Sequence, residues 1–275
     1  MSFRNLVCVF LWMSSLVWGA EHTGDPGDGG WQFEELRRWP AEEARQGVAV
    51  DAQSFYVISN YLIGRYDKVS GERTAQWASA EGGPFIHLNA AVVWEGELWG
   101  AHSNYPTVPM ASSVEVWSLD SLEHRRSIAL GVATGSLVWM DRRGDRWWAC
   151  FANYDGKGGV PGRDARWSEL VEFDHEWRRL RGFVFPAELV ERMDGYSASG
   201  SVPAGPGAWW VAGHHVPELY RVELPEAGAT LRWTATVSTT IPGQALGLDP
   251  EDPELLYGID RKTREVIVGR LRKVR

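Results

Sequence analysis

Four of the seven histidines, His87, His102, His214 and His215, follow or close apolar runs, and so do Asn60, Asn104 and Asn153. Imidazole nitrogens bind zinc, copper, iron or nickel and move protons near neutral pH, whereas Asn and Asp oxygens suit calcium or magnesium. Each of the three asparagines precedes a tyrosine, in "ISNYL" (58–62), "HSNYP" (102–106) and "FANYD" (151–155), at spacings of 44 and 49 residues. One phrase written three times at that interval points to a structural repeat that must position these groups.

Alignment on Asn60 divides the chain into five units. Each reads as a small-residue strand, a tight turn, an aromatic-rich strand, a loop, a third strand, a turn and a fourth strand. The 16 Trp and 30 Gly, with apolar runs broken by Gly, Asp and Pro, favour β-structure. Only "PAELVERMDG" (186–195) reads as a helix, led by Pro186 and ended by Gly195. Four antiparallel strands per unit make a β-propeller blade, so the predicted fold is all-β with five blades. Six blades are the alternative, should residues 21–45 and the long third unit hide another hairpin. The second strands carry the aromatics expected between blades: Phe55, Tyr56, Trp99, Trp147, Trp148, Trp209 and Trp210. The fifth unit ends at Arg275 without a fourth strand. Residues 31–39 are predicted to pair onto it and close the ring, which protects otherwise open sheet edges.

In such a ring the loop from second to third strand and the connection between blades open on one face. Here that face has the long segments 78–86, 105–113, 154–166 and 186–195, and long surface loops usually carry function. The ends of the second strands bring Asn60, Asn104, Asn153, His214 and Asp260 there. The tops of the inner strands bring Gln46, His87, Asn89, Ser199 and Gln244. His87, His102 and His214 are the expected catalytic set and the expected ligands of a divalent metal ion. Gln46, Asn60, Asn89, Asn104, Asn153, Gln244, Asp260 and Arg261 are expected to bind substrate, Arg261 through a substrate carboxylate. The competing account of the repeated Asn is architectural, because Asn at a strand end caps its own turn. His124 and His175 fall in turns expected on the opposite face, and His22 in the linker.

The hairpin "YDKVSGERTAQW" (66–77) is similar to the Asp-x-x-Thr-Gly…Trp blade hairpin of quinoprotein-like propellers. At the level of repeat shape the chain resembles exported propellers of the gluconolactonase-like, NHL-like and quinoprotein-like groups. It departs from the sugar-lactonase pattern in having no clear glutamate at the start of the first inner strand, so calcium-lactonase chemistry is not implied.

Residues 1–20 have one early cation, Arg4, an apolar core from Leu6 to Trp12, and Gly19–Ala20 at the end. That is a secretory signal peptide, too short for a span of about 20 residues. Residues 21–30 are expected as a flexible linker and 31–275 as a single domain, secreted or periplasmic and monomeric. The formal charge is −8, which argues against nucleic acid, since phosphate tracking needs clustered cations. No later segment is apolar enough to span a membrane. Removal of Cys8 leaves Cys150 alone, so no internal disulfide forms. No Gly-x-Ser-x-Gly, His-Glu-x-x-His or phosphate-binding loop occurs. Two functions fit: a metal-assisted hydrolase or lyase acting on a small polar substrate such as a sugar or lactone, or a non-catalytic module binding a protein or glycan. The second predicts an exposed patch at Tyr105, Pro106, Val108 and Met110.

Overall fold

Small residues let five strands crowd one axis, and the structure uses them there. A Cβ on Gly47 would stand 2.3 Å from the Cβ of Ala245, in the connection leading to the innermost strand of another blade. The computed structural model describes residues 24–156 and 159–274; the expected signal peptide lies outside the described residues.

Five four-stranded antiparallel sheets form the ring. Blade 1 runs from the axis outward as β2 (Gly47–Val50), β3 (Ser54–Ile58), β4 (Leu62–Asp67) and β5 (Arg73–Ala78). Blade 2 is β6 (Leu88–Trp94), β7 (Glu97–Ser103), β8 (Ala111–Ser118) and β9 (His124–Val132). Blade 3 is β10 (Ser136–Arg143), β11 (Arg146–Ala152), β12 (Glu169–Phe173) and β13 (Arg179–Val184). Blade 4 is β14 (Gly200–Pro203), β15 (Ala208–Ala212), β16 (Glu218–Glu223) and β17 (Arg232–Ser238). Blade 5 is β18 (Gly247–Leu248), β19 (Leu255–Asp260), β20 (Glu265–Lys273) and, on its outer edge, β1 (Trp31–Pro40). The inner strands touch in sequence, β2 to β6, β10, β14, β18 and back to β2. The protein is therefore a five-bladed propeller.

Closure follows the predicted route. β1 pairs with β20 from Trp31 opposite Lys273 to Pro40 opposite Glu265, with one irregularity between Glu35 and Arg37. Trp31 meets Trp210 of blade 4 at 5.2 Å between ring centroids, edge to face. At the other end Trp39 packs beneath the β4–β5 turn. Gly71 in that turn has φ +72°, and a Cβ there would lie 2.2 Å from the Trp39 ring, so both its conformation and the space above it demand glycine.

An aromatic pair joins each pair of neighbouring blades. These are Trp77–Trp117 at 5.1 Å, Trp99–Trp147 at 4.9 Å, Trp148–Trp209 at 4.9 Å, Trp31–Trp210 at 5.2 Å and Phe55–Tyr257 at 6.0 Å. Each such pair adds about 0.5–1.5 kcal/mol beyond its burial. All seven aromatics assigned to the second strands are buried. The short helix α1 (Ala187–Arg192) lies inside the segment expected to be helical.

The described part of the expected linker, 24–30, makes bonds of its own. Thr236 N–H on β17 donates to Gly27 O at 2.7 Å, and Asp25 pairs with Arg192 of α1 at 3.0 Å. Cys150 is fully buried and free. No helix among the described residues is long and apolar enough to cross a membrane.

Candidate functional site

The repeated asparagines end their strands on the face expected, but their polar atoms serve the loops. Asn104 Oδ1 accepts from Ala111 N–H at 2.8 Å and its Nδ2 donates to Pro109 O at 3.0 Å, which closes the β7–β8 loop on itself. Asn153 is buried, and its Nδ2 donates to Thr134 O at 2.9 Å and Trp167 O at 3.2 Å. Asn60 accepts from Gln46 Nε2 across the top of blade 1. Asn89 Nδ2 donates to Leu137 O at 2.8 Å, tying β6 to β10, and Gln244 Nε2 donates to His214 O at 2.8 Å. Asp260 Oδ1 accepts from Lys262 N–H at 2.9 Å and Thr263 N–H at 3.3 Å. Burial pushes its carboxyl up, but these bonds together hold it below the ordinary carboxylate range.

The tyrosines that follow two of these asparagines turn inward. Tyr105 opens the β7–β8 loop and Tyr154 the β11–β12 loop, and their rings meet at 5.7 Å. The contacts continue on both sides. His87, just before β6, lies 5.1 Å from Tyr105. Tyr154 reaches Tyr196, between α1 and β14, at 5.6 Å and His214, after β15, at 6.1 Å. Tyr196 stacks on His214 at 4.4 Å with 18° between planes, and Arg261 Nη1 from the β19–β20 turn stands 3.4 Å from His214 Nε2. Blades 2 to 5 thus contribute one half-buried belt of rings around the axis, ending on a guanidinium.

Burial sets the charge states in this belt. It pushes the His87 imidazole down to about 4, with smaller repulsion from His102 and Arg261, so His87 is neutral at neutral pH. It pushes the Tyr154 phenol well above the tyrosine range. It also lowers the Arg261 guanidinium, helped by Arg45 and Arg264. Arg261 remains charged, because guanidinium starts so far above neutrality.

The structure brings His87 and His214 to this belt, but His102 is turned away from it. Its ring sits between blades 1 and 2, 5.9 Å from Phe85. Ile86 N–H donates to His102 Nε2 at 3.3 Å, which leaves the proton on Nδ1, and Nδ1 lies 3.0 Å from Ser113 Oγ. Ser113 donates in turn to Glu115 Oε1 at 2.6 Å. His124 lies where expected, at the β8–β9 turn, but it is not idle there. It opens β9 beside its turn, yet its Nε2 reaches across the sheet to Glu115 Oε2 at 2.8 Å, where Ser127 Oγ also donates. Among the described residues no group of three or more His, Cys, Asp and Glu side chains is placed to hold a metal ion. In the expected patch Val108 is exposed but Met110 is buried, so that stretch of loop is only partly a surface.

Sequence reasoning missed Tyr154 and Tyr196 as lining residues. For Tyr154 the signal was the Asn-Tyr phrase it shares with Tyr105; Tyr196 follows Gly195 and had no such mark, and Tyr61 of the first phrase is exposed. The 1130 Å³ cleft at the outer edge of blades 3 and 4, lined by Phe185, Pro186, Leu231 and Trp233, lies apart from this belt and contains none of its rings.

No protein-family model and no curated protein matches the sequence. Among solved structures, one described as "Structure of U3-55K" aligns over 89% of this chain and 99% of its own, with a TM-score of 0.46 and 9% identity. The five-bladed ring rests on this chain's own sheets.

Proposed function

We propose that the axial funnel binds a small polar molecule, a sugar or short glycan, by stacking it on Tyr105, Tyr154 and Tyr196. The observation that carries this reading is the unbroken series of ring contacts from His87 to His214 around the axis. Aromatic faces with polar tips pack against the C–H face of a sugar while their hydroxyl and ring N–H groups meet its hydroxyls. The resemblance of 66–77 to quinoprotein-like hairpins and the leader-like residues 1–20 support an exported protein that meets such molecules outside the cytoplasm. Titration calorimetry with a panel of neutral and acidic monosaccharides tests the reading. Saturable binding that Tyr154→Ala removes supports it; heat signals identical in both proteins remove it.

Hydrolase or lyase action on the same ligand would fall to His87 and His214 as proton carriers. With its pKa near 4, His87 is a weak base at pH 7, and a general base works best near the operating pH. Binding is therefore the reading we prefer over catalysis. A metal-assisted form would recruit a divalent ion through His87 and His214, with His102 joining only by leaving Ile86 and Ser113. Metal analysis of the purified protein before and after chelation checks it, and chelated protein with full sugar affinity removes the ion from the reading.

A further inference from the structure

We propose that the ligand of the axial funnel is an anion, an acidic sugar whose carboxylate or phosphate group is taken by Arg261. The inference rests on the sugar-binding reading above and adds the charge of the ligand. Half-buried arginines elsewhere in this chain have oxygen partners: Arg38 meets Glu35 at 2.8 Å, Arg143 meets Asp141 at 2.6 Å and Arg192 meets Glu218 at 2.7 Å, while Arg65, Arg163 and Arg264 donate to backbone carbonyls. Among the described residues no Asp or Glu oxygen comes within 4.0 Å of Arg261, although the chain has 36 acids against 28 bases. The adjacent Asp260 is not a hidden partner. Its oxygens accept from Lys262 N–H, Thr263 N–H and, at 3.5 Å, Arg38.

The neighbours of Arg261 sharpen the deficit. Arg45 and Arg264 add repulsion, while burial keeps the Tyr154 phenol and the His87 imidazole near it uncharged at pH 7. A desolvated cation among neutral rings is costly unless something completes it. Arg142 is the instructive contrast. Among the described residues it too lacks a carboxylate, but its guanidinium lies 5.4 Å from the Trp94 ring and 5.0 Å from the Trp147 ring, and those indole faces serve as its partner. The planar fork of Arg261 ends the belt of half-buried rings beside His214 and matches two oxygens of a carboxylate or phosphate.

Titration calorimetry on the wild-type protein and Arg261→Ala, with glucose, glucuronate and glucose 6-phosphate, tests this. A charge-assisted bidentate contact contributes about 10- to 100-fold in affinity. The expected result is that one or both acidic sugars bind at least about 10-fold tighter than glucose, that the substitution erases the difference, and that the melting temperature without ligand stays the same or rises. The acidic sugar that binds tighter identifies the group, carboxylate or phosphate. Equal affinity for glucose and both acids, unchanged by the substitution, overturns the anion while leaving the sugar reading intact. Binding of inorganic phosphate or acetate through Arg261 with no added affinity from any sugar ring keeps the anion and overturns the stacking. Absence of binding by all of these overturns both. Arg261→Lys, which keeps charge and loses the fork, should retain only part of the discrimination.

Discussion

His87 and His102 lie close enough for their charges to interact, yet their surroundings differ in kind. Around His102, Glu115 is 3% exposed and gathers Ser113, His124 and Ser127. Donors and acceptors there answer one another, and the cluster bolts β8 to β9 beside the blade 1 seam. Around His87 the half-buried rings touch one another, and among the described residues the cation at the end of the series has no acid. The same residue types build a closed network in one place and an open funnel in the other. What separates them is where the carboxylates are. Buried polar groups that are fully paired hold a fold together, and those left incomplete are where a ligand has something to gain.

Both regions depend on the ring being closed, so the harshest break is removal of β1. Deleting residues 31–40 strips Trp31, Phe33 and Trp39 from two seams and exposes the β20 edge. These rings are half-buried, so each costs less than the ~3–5 kcal/mol of a fully buried aromatic, but together with the β1–β20 ladder the loss approaches the stability of a typical domain. The expected product has no cooperative melting transition and aggregates. A monomer that melts like the parent would show that closure contributes little.

The closed cluster should fail next. Glu115→Ala leaves the donors of His124, Ser113 and Ser127 without their shared acceptor, at a cost of about 3–5 kcal/mol. His124→Ala removes one member and should cost about 1–2 kcal/mol, whereas exposed His175→Ala should stay within about 0.5 kcal/mol. Urea unfolding of the three variants checks the order. Sugar binding should survive in all that fold, because none touches the belt.

Acid separates the regions through His87. Its folded pKa is about 4 against an ordinary 6.5, so below pH 6.5 the unfolded chain takes a proton that the folded one refuses. Stability from this group is therefore present above about pH 6.5 and lost as pH falls toward about 4, by a few kcal/mol in total. His102 is also lowered, first by burial and against the pull of Glu115, and it adds to the slope in the same direction. Urea midpoints between pH 4 and 7.5 should fall less steeply for His87→Asn than for the wild type. Parallel slopes would mean that the imidazole is solvated.

The ring was legible in the sequence because its signals are periodic. Small residues such as Gly47, aromatic runs such as Trp147–Trp148 and the missing fourth strand of the last unit all follow from the packing of one repeated blade. The site was legible only in part, because it is made by the loops, where the repeat no longer holds. His87, His214 and Arg261 could be assigned to a face from strand order alone. The direction of His102 could not, since alternation along β7 and the bulge on β6 decide whether that ring meets the axis or the seam. Glu115 and His124 meet only because adjacent strands pair Glu115 with Ser127 and Trp117 with His124. That register has no counterpart in linear spacing. Tyr196 lies 42 residues after Tyr154, outside the Asn-Tyr phrase and in a connection where no repeat places its ring.

The Asn-Tyr phrase supplies the finest division between the two kinds of residue, because its members sit side by side and should separate by assay. Asn104→Ala removes the acceptor of Ala111 N–H and the donor to Pro109 O, two bonds that hold the β7–β8 loop. The group is partly exposed, so water takes over some of the loss and the cost should be about 1 kcal/mol. Tyr105 then sits on a looser loop, and sugar affinity should weaken by no more than a few-fold. Tyr105→Ala differs in what it removes. It leaves the Asn104 bonds in place and takes away the half-buried ring that bridges His87 and Tyr154, so stability should fall by about 1 kcal/mol, as for Asn104→Ala, while sugar affinity falls about tenfold or more. Paired melting and calorimetry on the two variants read both quantities. If Asn104→Ala abolishes binding with the melt unchanged, the amide itself meets the ligand, and the division between scaffold and site within the phrase must be redrawn.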